Sequence, residues 1–186
     1  MTRWLPALAG AALVVAAWGV AAVTPGDEAA EQPFAVAATV GERAAGRNLA
    51  ATITGLRGAE AVTNDGWRAE GSWLLVDLEA EAVLSERGTL LSLATLDVGG
   101  RSYRASERPP ASLFRSSLAI GLPHSGTLAF ELPAGAFTAS EGDDAVLRLG
   151  LHEDPRLDSV IELRLDLAEV EVDDEAELAP VVWVGR

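Results

Sequence analysis

The chain has 186 residues, with 28 acidic and 14 basic side chains, no cysteine, and a formal charge of −14 at pH 7. That composition excludes disulfides, thiolate metal sites, thiol nucleophiles and cysteine-linked lipid. Two histidines and one methionine leave little for a transition metal, and so negative a body repels nucleic acid and anionic lipid alike.

The first element in chain order is Trp4 to Val23, a run of 20 residues without a charge, WLPALAGAALVVAAWGVAAV. As a helix it would cover about 30 Å, the hydrocarbon thickness of a bilayer. Arg3 lies on one side of the run, and Asp27, Glu28 and Glu31 lie on the other. The positive-inside rule then predicts a single-pass protein of the cell membrane, with a cytoplasmic N-terminus and everything after Thr24 outside. A cleavable signal peptide is the alternative, because Val20-Ala21-Ala22 has the small residues of a cleavage site. Length favours the uncleaved anchor. All 28 acids and 13 of the 14 arginines follow residue 23, so the exported part carries −15.

Residues 24–33 read as a short acidic linker. From Phe34 to Leu167 the hydrophobic period is two, which predicts strands with one packed and one wet face. Leu49, Ala51 and Ile53 share a face in NLAATITG. In SWLLVDLEAE, Leu74, Val76, Leu78 and Ala80 oppose Leu75, Asp77, Glu79 and Glu81. GTLAFELP sets Leu128, Phe130 and Leu132 against Thr127, Ala129 and Glu131. VLRLGL places Leu147, Leu149 and Leu151 together, and VIELRLDL does the same with Ile161, Leu163, Leu165 and Leu167. Turn signals separate these runs at Asn64-Asp65-Gly66, at Asp97-Val98-Gly99-Gly100-Arg101 and at Glu141-Gly142-Asp143-Asp144. Seven or eight short strands without an amphipathic helix point to an all-β, antiparallel sandwich at 34–167. Residues 168–186 then form an acidic tail, in which Val181 to Val184 reads as an edge strand or a loose end.

Several of these segments together resemble the DUF4352 group of exported, immunoglobulin-like bacterial domains. The likeness lies in the N-terminal apolar segment, SWLLVDLEAEAVLSERG, LLSLATLDVGGRSY, LPHSGTLAFELPAGA and AVLRLGL. SWLLVDLEAEA lacks the asparagine that often closes the corresponding strand of that group. The resemblance implies an extracytoplasmic binding or assembly module and brings no catalytic residues with it.

Three stretches offer chemistry. His124 and Ser125 stand side by side before the strand at Thr127, but no Gly-x-Ser-x-Gly turn accompanies them. Neighbouring side chains in extended backbone also diverge. The pair reads as a turn, and no catalytic residue is assigned. The segment from His152 to Asp158 gathers Glu153, Asp154 and Asp158, with Arg156 competing for them, where calcium would require six to eight oxygens. No metal or cofactor is assigned there. The third stretch is Arg101 to Arg115, RSYRASERPPASLFR, where four arginines face one acid, Glu107, in an otherwise negative chain. Arginine and aromatic residues are enriched where proteins meet partners. Arg101, Tyr103, Arg104, Arg108, Phe114 and Arg115 are therefore the candidate partner-binding residues. Trp67 and Trp73 read as core or rim.

The sequence thus predicts a non-catalytic, membrane-anchored extracytoplasmic interaction module. Its expected partner is an envelope or membrane protein, such as a transporter component. The alternative is a small-ligand-binding sensor or solute-binding domain, with a pocket between the sheets or under the arginine segment.

Overall fold

The computed structural model describes residues 4–23, 31–84, 89–139, 142 and 144–185, and for residues 5–8 the backbone alone. The chain forms two units, Met1–Gln32 and Pro33–Arg186. In the first, helix α1 spans Leu5–Val23, and its described side chains, among them Leu13 and Trp18, are exposed. Among the described residues, no helix is long and apolar enough to cross a membrane. Most of the linker expected at 24–33 lies outside the described residues, as do Glu141 and Asp143 of one expected turn.

The second unit is a sandwich of two sheets. Its strands are β1 (Phe34–Ala37), β2 (Arg43–Ala45), β3 (Leu49–Asn64), β4 (Trp67–Ala82), β5 (Leu93–Val98) and β6 (Arg101–Arg104). They continue with β7 (His124–Leu132), β8 (Ala145–Gly150), β9 (Ser159–Leu165), β10 (Val172–Asp173), β11 (Ala176–Glu177) and β12 (Val182–Trp183). The first sheet has the order β1-β9-β8-β5-β6. The second has the order β10-β3-β4-β7-β12, with β2 and β11 also on β3. The sequence predicts an antiparallel sandwich, and the long pairings obey it. Three edge pairings do not, since β1 runs parallel to β9, and β10 and β11 run parallel to β3. Each is made by a short edge segment of two to four residues, which the alternation of the long strands cannot reveal.

The main core lies between the sheets and follows the period of two. Leu49, Ala51, Ile53, Leu74, Val76, Leu78, Leu128 and Phe130 point inward from the second sheet. Ala94, Leu96, Leu147, Leu149, Ile161 and Leu163 meet them from the first. A fully buried leucine contributes about 1.5–3 kcal/mol, so this layer holds the two sheets together without disulfides. Two hairpins close on residues that tolerate positive φ. Asp65 and Gly66 (46° and 82°) turn β3 into β4, and Gly99 and Gly100 (54° and 75°) turn β5 into β6.

A second, smaller core sits on the outer face of the second sheet. Ala59, Val62, Ala69, Trp73, Leu75 and Ala129 are buried there against Ala176 and Leu178, with Trp67 half-buried beside them. The segment after Leu167 provides the cover, running from β10 and β11 on the β3 side to β12 on β7. The Leu178 N–H donates to Thr63 O at 3.0 Å, and the Ala179 N–H donates to Thr127 Oγ1 at 3.1 Å. A polar latch lies beneath this crossing. Arg57 holds both Asp77 oxygens at 2.9 and 3.1 Å and also donates to Glu177 O, while the Thr127 hydroxyl donates to Asp77 at 2.5 Å.

Candidate functional site

The arginine segment begins as β6 and, beyond it, closes one open side of the sandwich. Backbone bonds tie it to both sheets, with Ala105 N donating to Ala94 O (2.9 Å) and Ser106 N to Ala129 O (2.7 Å). Further along, Leu113 N donates to Thr127 O (3.1 Å) and Arg115 N to Leu91 O (2.9 Å). Leu113 and Phe114 are buried as a result. Buried Phe114 offers its ring to Arg104 and not to solvent, the guanidinium carbon lying 5.1 Å from the ring centre. Tyr103 is half-buried against the main core.

Three of the four cations of the segment are answered by carboxylates. Arg104 pairs with Glu153, and Arg115 lies 3.4 Å from Glu107 and 3.7 Å from Glu153. Arg108 pairs with Glu131 at 2.8 Å, with its guanidinium 5.8 Å from the ring centres of both Trp67 and Trp73. Those two indoles meet edge to face at 6.3 Å and 83°. Each guanidinium is thus positioned by a carboxylate, and two of the three also lie over aromatic faces. The side chains of Arg104, Arg108 and Arg115 nonetheless remain 47%, 55% and 46% exposed. Arg101 is exposed at the hairpin tip and, with Tyr103, borders a hollow of about 160 Å³ beside Pro133 and Gly135. That is smaller than the roughly 300–1,000 Å³ typical of small-molecule pockets. The acids that position Arg104 and Arg108 lie on other elements, so sequence proximity showed only Glu107.

His124 opens β7 instead of preceding it, paired with Ala80 of β4 and Trp183 of β12. It is buried, its ring 3.6 Å from that of Trp183 at a tilt of 54°, and its Nδ1 has no hydrogen-bond partner. Burial lowers its pKa, and a backbone group of Ser117 opposes that shift. Strand alternation sends the Ser125 side chain to the opposite face.

The acids near His152 do not converge either. Glu153 serves Arg104 and Arg115, and Asp154 holds Arg156 at 2.6 Å, which lowers the Asp154 pKa. Asp158 is buried. It accepts from Asn48 at 2.6 Å, Arg47 at 3.3 Å and the Ser159 N–H at 2.8 Å. Its role there is to fasten the start of β9 to the turn before β3. No group of three metal-ligating side chains occurs among the described residues.

A wider cleft, about 540 Å³, opens where β3 and β4 lose register. It was not visible in the sequence, because its walls come from Ala59, Gly71, Ala134, Phe137 and Val172. The glycine between two polar stretches at Gly71 is the one local sign of it.

No family model matches the chain, and no curated protein matches it. Two solved structures are similar. One is an uncharacterised β-sandwich protein from Clostridium difficile 630, at 10% identity and a TM-score of 0.50, covering 73% of this chain and 97% of that one. The other is a candidate lipoprotein from Staphylococcus aureus subsp. aureus NCTC 8325, at 10% identity and a TM-score of 0.48, covering 74% of this chain and 97% of that one. The first likeness supports the β-sandwich fold, and at such identity it speaks to fold alone.

Proposed function

We propose that the chain is a non-catalytic, membrane-anchored interaction module that displays its sandwich outside the cytoplasm. In this reading it meets an envelope or membrane protein, such as a transporter component, through the arginine segment. One observation carries the reading. Arg104, Arg108 and Arg115 stay about half exposed while carboxylates hold them in place, with Phe114, Trp67 and Trp73 beneath two of them. Side chains fixed before binding lose little further entropy on docking, and arginine set on aromatic rings is a frequent hot-spot composition. The anchor rests on the uncharged run from Trp4 to Val23 and on the charge difference across it. The immunoglobulin-like character and the likeness to the DUF4352 group belong to this reading and rest on the strand and turn patterns of the sequence.

The test is recovery of partners from detergent-solubilised membranes, comparing wild type with Arg104→Glu/Arg108→Glu. The expected result is loss of a specific partner with the far-ultraviolet spectrum unchanged. Equal recovery of every protein by the folded variant would remove the arginine segment from the account.

A further inference from the structure

Most exposed large apolar side chains of the sandwich gather at one end. Phe34, 65% exposed, starts β1 there, and its N–H donates to Asp158 O at 2.8 Å. Asp158 accepts from Asn48 at 2.6 Å, and Asn48 O accepts from Val83 N at 2.8 Å, so the exposed Leu84 lies at the same end. Ile120 meets Ala82 across a bridge, and Leu122 precedes Pro123, whose carbonyl accepts from Val184 N at 2.9 Å. Beside them Trp183, 60% exposed, lies against the His124 ring. Leu157 is also exposed here, on a backbone held at φ 59°, where L-residues are disfavoured. The opposite end, at the Asp65-Gly66 and Gly99-Gly100 hairpins, bears no exposed large apolar side chain among the described residues.

The cations at the apolar end are matched within the chain. Arg43 pairs with Glu81 at 2.7 Å, Arg47 with Asp158 at 3.3 Å and Arg156 with Asp154 at 2.6 Å. An aromatic and aliphatic surface of this kind suits the boundary between headgroups and acyl chains, where Trp, Phe and Leu side chains settle. The formal charge of −14 disfavours anionic lipid and leaves zwitterionic lipid as the match. Connectivity points the same way. Residues 24–33 join Phe34 to the uncharged run, and such a length spans at most about 36 Å. A bilayer holding that run would therefore tether the sandwich by this end.

We infer that this end of the sandwich rests on the bilayer surface, with Phe34, Ile120, Leu122 and Trp183 set into the boundary of a zwitterionic phospholipid leaflet. The inference rests on the anchor reading of residues 4–23 and adds to it the face that the sandwich turns to the lipid.

The chain has no cysteine, so single nitroxide labels can be placed through Leu13→Cys, Leu122→Cys, Leu157→Cys and Arg101→Cys. The test is power-saturation electron paramagnetic resonance of the full chain in phosphatidylcholine nanodiscs, one chain per disc. Oxygen reports lipid and a nickel chelate reports water. The expected result is shielding from nickel at Leu122 and Leu157, corresponding to about 5–10 Å of insertion, while Arg101 at the far hairpin stays open. Ile120→Glu/Leu122→Glu should return the Leu157 label to nickel, with the far-ultraviolet spectrum unchanged. A lipid-buried Leu13 label with a Leu122 label as open as Arg101 would overturn the inference and leave the anchor standing. An open Leu13 label would overturn both. Leu157 shielding that survives the double substitution would also overturn the inference. Leu122 shielding found only in discs holding two chains would assign the patch to a second copy, with the same consequence.

Discussion

The outer faces of the two sheets began from the same sequence rule and ended differently. On the first sheet the outer face is a charged ladder across three strands, where Arg148 of β8 reaches Asp97 of β5 and Glu162 of β9, the latter at 2.8 Å. On the second sheet the corresponding face is a dry patch of Trp73, Leu75 and Ala129 beneath a crossing segment of the C-terminal chain. Alternation predicts that one face is packed and the other is not. It does not say whether a distant segment returns to cover the wet one. The difference bears on the proposed site, since Arg108 lies over the two indoles of the covered face.

Substitutions should separate the faces by size of effect. Trp73→Ala is expected to be the most damaging, about 3–5 kcal/mol in a urea titration, because it empties the second core. A loss under about 1 kcal/mol would mean that the patch is not packed in solution. Asp77→Ala should cost about 1–3 kcal/mol, since it strips Arg57 and Thr127 of their shared acceptor under the crossing segment. The contrast sharpens if Arg148→Ala, which dismantles the ladder on the open face, costs no more than about 1 kcal/mol and less at high salt.

Acid offers a different probe of the covered sheet. Burial lowers the His124 pKa in the folded chain, so the unfolded chain binds the proton more readily. Its contribution to stability is therefore complete above the ordinary imidazole value of about 6.5 and declines as pH falls below it. The urea midpoint should drop between about pH 7 and about 5.5, and His124→Leu should flatten that slope. A slope unchanged by the substitution would place the titration elsewhere.

The inward faces were fully legible in the sequence. Leu74, Val76 and Leu78, and likewise Leu128 and Phe130, point where the period of two sends them, and Asn64-Asp65-Gly66 and Gly99-Gly100 turn the chain as their chemistry requires. The second core left a fainter trace. Trp73 and Leu75 precede Asp77 on the same face of β4, which interrupts the polar series with two large apolar residues. Its cover could not be read, because Ala176 and Leu178 sit in an acidic stretch with no alternation of its own. The candidate site was legible as composition and not as geometry. Four arginines with two aromatics stood out, yet Glu131 and Glu153 reach them only through the fold, and that same closure buried Phe114. The Gly71 cleft depends on a register shift between two strands, which leaves no periodic signature.

The most direct measurement of the central claim is amide hydrogen exchange of the full chain across Leu178 and Ala179, set beside Leu75 of β4. These two amides, bonded to Thr63 O and Thr127 Oγ1, should exchange only as slowly as the sheet they cover opens. Exchange at the rate of a free peptide, with Leu75 still protected, would contradict it and leave the second core without its cover.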